Sequence, residues 1–173
     1  MSSDRRFGLS RLVGAVILAA SAVALSGCQV QPLYAERSNA SHAMASVGFA
    51  DAKDRVSQEV RNRLVFLAGK GAGEAANPEY RLDYEVKTRA IGVLVDSTTD
   101  TPRAGRIMVN VGYTLKKAST GEILKAGNRS VTALVDYSEQ EFAKIRAIRD
   151  AENRAAREVA ELINLDLAGY LAR

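Results

Sequence analysis

Cysteine and histidine, the residues that most often supply nucleophiles, general bases and soft metal ligands, occur once each, and tryptophan not at all. A disulfide needs two thiols, so none can form within the chain. If the one cysteine, Cys28, is acylated as its setting suggests below, no free thiol is left for a thiolate metal centre or a Cys–His catalytic pair. His42 stands in the small, polar stretch Ser38-Asn39-Ala40-Ser41 and reads as a solvated linker residue. No Gly-x-Ser-x-Gly occurs, and no His/Asp/Glu cluster has ligand spacing, which leaves a hydrolase or transferase without machinery. Excess charge is also scarce. The formal net charge is +4, too little to make a case for nucleic acid as a partner.

What is present begins at Leu25-Ser26-Gly27-Cys28. It follows Arg5, Arg6 and Arg11 and the apolar run Leu12 to Leu25, the charged and greasy regions of a secretory signal. That run is short for a span needing about 20 apolar residues, and the small residues Ser26 and Gly27 suit a signal peptidase. The four residues resemble the lipobox of bacterial lipoproteins. The resemblance implies removal of residues 1–27, an N-acyl diacylglycerol on Cys28 and no other cofactor. A true transmembrane anchor and a chance cysteine after an ordinary signal are the alternatives. Phe7 directly follows the Arg5-Arg6 pair, one place earlier than a twin-arginine signal has it, which favours ordinary Sec export. Gln29 stands where an aspartate would retain such a protein in the inner membrane. By that sorting rule the destination is the periplasmic face of the outer membrane. Loss of the signal removes three arginines and one aspartate, so the net charge falls from +4 to +2.

Residues 28–43 carry Pro32 and no sustained period and read as a lipid-anchored tether. The folded domain is expected over residues 44–173, with Met44 to Phe49 as a first short strand. From Asp51, with Asp54 three residues on, a helical period places Ala52, Val56, Val60, Leu64 and Leu67 on one face. The glycines from Gly69 to Gly73 stop that helix. They follow a helix and lack a Gly-Lys-Ser/Thr, so they are not a phosphate-binding loop. Arg81 to Arg89 alternates strictly, the pattern of a strand with one wet face. Asp83 and Glu85 lie there among Arg81, Lys87 and Arg89 and read as cross-strand partners, not as a catalytic pair. Near Gly92 the phase becomes ambiguous, and a bulge there would let Ile91, Val93 and Val95 point the other way. Ile107 to Leu115 and Ile123 to Tyr137 supply two more strands, with turns at 96–102 and 119–121.

Three consecutive strands joined by turns make an antiparallel meander. The apolar residues Phe142, Ile145, Ile148, Ala151, Ala155, Val159, Leu162 and Ile163 then predict a long helix covering it, from Glu139 to Leu171, opened by a capping box of Ser138 and Glu141. The expected fold is an α+β two-layer sandwich, a mostly antiparallel four-stranded sheet with two helices packed on one face.

Several segments together resemble the LptE family of lipopolysaccharide-assembly lipoproteins: Gln31-Pro32-Leu33-Tyr34 close after the cysteine, the helix with Val60-Arg61-Asn62-Arg63-Leu64, the strand around Val109-Asn110-Val111-Gly112-Tyr113-Thr114-Leu115, and the final helix with Asp150-Ala151-Glu152 and Arg154-Ala155-Ala156. Gln29 and Val30 depart from the glycine and phenylalanine that many members have. The resemblance implies an outer-membrane protein that plugs an LptD-type β-barrel, assists its assembly and binds lipopolysaccharide. It also points to cations near the hairpin tip and early in the last helix, here Arg103, Arg106 and Lys144. A lipoprotein scaffold of another envelope complex is the alternative, and a degenerate enzyme a weaker third.

Overall fold

The computed structural model describes residues 39–95 and 102–172; Cys28, the Gln31–Tyr34 motif and the centre of the hairpin tip lie outside them. In chain order the elements are α1 (Asn39–Ala45), β1 (Val47–Phe49), α2 (Arg55–Ala68), β2 (Tyr80–Val95), β3 (Pro102–Lys117), β4 (Ile123–Asp136) and α3 (Glu141–Leu171). The four strands lie in the order β1-β2-β3-β4. β1 runs parallel to β2 through the α2 crossover, and the other pairs are antiparallel. This is the expected α+β sandwich.

The meander follows from alternation. Leu82 and, on β3, Ile107, Val109, Val111, Tyr113 and Leu115 face the helices and are buried, and Val131, Ala133 and Val135 of β4 extend that layer. On the opposite, wet face Lys116 reaches Asp83 at 2.7 Å, while Arg81–Asp83 and Lys87–Glu85 pair along β2 at 3.5 and 3.7 Å. The paired carboxylates are thus cross-strand and same-face partners, as expected. The bulge expected at Gly92 is absent. The ladder runs unbroken through Ile91↔Arg106, Gly92↔Gly105 and Val93↔Ala104, so Ile91 and Val93 reach the wet face by simple alternation. The backbone irregularity comes later, at Leu94 with φ 54°.

Met44 belongs to a helix, not to the first strand. Ala40 and Met44, four residues apart on α1, are both buried, so Ala40, assigned above to the tether, already contributes to the core. Nor is Asp51 the cap of α2. Asp54 is, accepting from the Ser57 N–H at 2.8 Å. The Ser57 hydroxyl oxygen accepts from the N–H groups of both Lys53 and Asp54, which holds those residues outside the helix. At α3 the Ser138 hydroxyl accepts instead from the Gln140 N–H, two residues on. No capping box with Glu141 forms, and the helix starts at Glu141.

α3 spans about 46 Å at 1.5 Å per residue, more than twice α2. Its buried stripe is rich in alanine (Ala151, Ala155, Ala156, Ala160, Ala168), with Val159, Ile163 and Leu167. Steps of four residues overshoot a 3.6-residue turn by about 40°, so this stripe winds around the helix. By Leu162 it has turned away, leaving that residue 36% exposed, against expectation. Phe142 and Ile145 lie on the stretch of α3 that extends beyond the start of α2, and are 71% and 41% exposed.

Candidate functional site at the hairpin tip

At the end of the sheet where β3 begins and β4 ends, the Tyr137 N–H donates to the Arg103 carbonyl at 2.8 Å. This bond pins the β4–α3 connection against the start of β3. A cavity of about 420 Å³ opens there, lined by Pro102, Arg103, Tyr137, Ser138, Glu139, Glu141 and Lys144. The Tyr137 ring crosses Gly105, where any Cβ would overlap its hydroxyl. The Lys144 ammonium stands 5.4 Å from the centre of that ring, within cation–π range. Glu141, one turn back on α3, is 3.7 Å from the same ammonium, a loose and exposed pair worth little. The arrangement presents two cations, two carboxylates and an aromatic wall to an open space.

Two of the three cations named from the sequence are therefore together. Arg103 and Lys144 line one cavity, whereas Arg106, three positions along the strand from Arg103, projects from the other face of the sheet between Ile91 and Leu134. Tyr137, Gly105 and Glu139 are not among the site residues named from the sequence. The signal available for Tyr137 was an aromatic residue ending an alternating strand just before a helix.

The other end of α3 carries a different group. The Arg129 guanidinium donates two bonds of 2.6 Å to the two Asp166 oxygens, and the Tyr113 hydroxyl donates a third at 2.7 Å. Arg129 holds the Asp166 carboxyl below the usual range; partial burial opposes this and Tyr113 adds to it. Burial first, then Asp166, pushes the Tyr113 hydroxyl up. This triad fastens helix to sheet. Among the described residues no cluster could hold a metal ion, and no helix is long and apolar enough to cross a membrane.

The profile of the LptE family, Lipopolysaccharide-assembly, matches residues 42–167. The chain belongs to the LptE family. No curated protein matches it significantly. A putative lipoprotein from Caulobacter crescentus CB15 has the same fold, with 24% identity and a TM-score of 0.66 over 77% of this chain and 96% of that one. The rare lipoprotein B of Shewanella oneidensis is 12% identical, TM-score 0.55, over 71% and 92% of the two chains. A minor lipoprotein of Acinetobacter baumannii is 9% identical, TM-score 0.52, over 71% and 88%. LptE proteins are assembly proteins and not enzymes. The LptE match begins inside α1 and ends at Leu167, so it takes in both the tip cavity and the Asp166 triad.

Proposed function

We propose that this lipopolysaccharide-assembly protein is anchored by an acylated Cys28 to the periplasmic face of the outer membrane, plugs and assists assembly of an LptD-type β-barrel, and binds lipopolysaccharide on its way to the outer leaflet. The family match across nearly the whole folded domain carries this reading. The wet sheet face supports the plug: its paired charges and the reciprocal Asn110–Asn128 amide bonds suit a polar barrel lumen. Arg103 and Lys144 support lipid binding, since lipopolysaccharide presents phosphates and a guanidinium fork or an ammonium can hold them.

Co-purification of the full chain after detergent extraction tests the reading, with and without Cys28→Ala. The chain should remain with a barrel of the lipopolysaccharide pathway, and a fatty-acid label should be present on the wild type and lost from the variant. An envelope scaffold of another kind would separate from the barrel. Label retained on the variant would remove Cys28 as the anchor.

A further inference from the structure

The wet face of the sheet is not uniform. Toward the α1 end it carries Asp83, Glu85, Lys87, Lys116 and the asparagine pair, whose polar groups answer one another. Toward the tip the same face turns aliphatic. There the register sets Arg89 opposite Met108, and Ile91 and Leu134 on either side of Arg106, with Val93 one step beyond Ile91. Leu134 is 69% exposed, and Ile91, Val93 and Met108 are half-buried. The described helices cover the opposite face, so packing against them does not account for aliphatic side chains here.

The two arginines on this patch lack a carboxylate partner. Arg55, Arg61, Arg63, Arg81, Arg129, Arg154 and Arg157 each have a carboxylate within reach. Among the described residues Arg89 and Arg106 have none, as is also true of Arg146 and Arg149 on α3, but only Arg89 and Arg106 share a strand face with aliphatic neighbours. They are diagonal neighbours on adjoining strands and one face, about 7–8 Å apart at Cα, close enough for both forks to reach one phosphate. The described carboxylate nearest in register, Asp136, pairs with Ala104 one step further toward the tip.

We propose that this half of the face is a docking surface for a phosphorylated, multiply acylated glycolipid, with Arg89 and Arg106 on phosphate oxygens and Ile91, Val93, Met108 and Leu134 beneath the acyl chains. The partner's chemistry follows from the surface: unanswered guanidinium groups call for an anion, and the aliphatic residues around them call for hydrocarbon joined to it. A flat strand face also suits chains laid side by side. The proposal rests on the lipid-binding reading above and adds to it a second surface, on the opposite face of the sheet from the Arg103–Lys144 cavity.

Binding of three probes to the purified full chain tests it: a bis-phosphorylated acylated diglucosamine, the same sugar deacylated, and the acylated sugar without phosphate. Leu134→Asn, which removes the aliphatic surface without placing a charge opposite Arg106, should weaken the first and third probes about tenfold and leave the second unchanged. Arg89→Ala with Arg106→Ala should weaken the first and second and spare the third. Unchanged binding of the phosphorylated acylated probe by both variants overturns the docking surface. The cavity reading then still stands if Arg103→Glu with Lys144→Glu weakens that probe. A wild type that binds no probe overturns both. Loss of barrel co-purification by Leu134→Asn, with probe binding intact, overturns the proposal in favour of a protein interface.

Discussion

At its two ends α3 meets the sheet through one device, a tyrosine laid across a glycine of the neighbouring strand: Tyr113 over Gly127 near the C-terminus and Tyr137 over Gly105 near the N-terminus. The difference lies in what happens to the charge beside each ring. At Tyr113 a guanidinium meets a carboxylate in two short bonds and the phenol closes the set. At Tyr137 an ammonium rests against the ring with Glu141 as a loose partner and Glu139 lining the same open space. Satisfied charge holds a fold together, whereas charge left partly unanswered beside a cavity is available to a ligand. The same contrast separates the two halves of the wet sheet face.

The largest effect should come from packing. Leu167, fully buried near Asp166, should lose about 2–5 kcal/mol on change to alanine through transfer and cavity terms. Phe142→Ala, at the exposed end, should stay within about 0.5 kcal/mol. Equal losses in a denaturant melt would abolish the distinction between the ends.

Gly127→Ala and Gly105→Ala sharpen it. Each added methyl must push a tyrosine aside, at about 1–3 kcal/mol. Gly105→Ala should in addition weaken lipopolysaccharide binding, whereas Gly127→Ala should change stability alone. Binding lost equally in both would mean that the tip has no special role.

The smallest effect is one of pH. The folded Asp166 carboxyl titrates below its unfolded value of about 3.9, so the triad's contribution is whole above that value and drains away as the pH falls from there through the lower folded one. The wild type should therefore lose stability more steeply than Asp166→Asn below about pH 4. Parallel acid curves would show that the triad adds nothing.

The meander and the two long helices were legible because their signals are local: alternation from Arg81, Ile107 and Val131, and helical spacing from Val56 and Ala151. What the sequence hid depends on distant partners. The seven residues of α1 form a helix because Ala40 and Met44 have a core to enter. Leu162 was misplaced because a straight stripe was drawn on a helix whose buried face winds. Of the site, the residue types were readable and the grouping only partly so. Strand parity already separates Arg103 from Arg106, but nothing local brings Tyr137 over Gly105. The aliphatic patch did leave a trace, the change of phase before Gly92, which was read as a bulge.

β1 has a mechanical consequence. It is three residues long, joins the sheet by three parallel pairs, and has its outer edge closed by the Glu74 carboxylate, which accepts from the Phe49 N–H and is held in turn by Arg61. A pull applied through the residues before Asn39 reaches α1 and β1 before it reaches the long antiparallel ladders. Those few pairs should part first, acting as a fuse that yields under tension while β2, β3, β4 and α3 keep the tip cavity in shape.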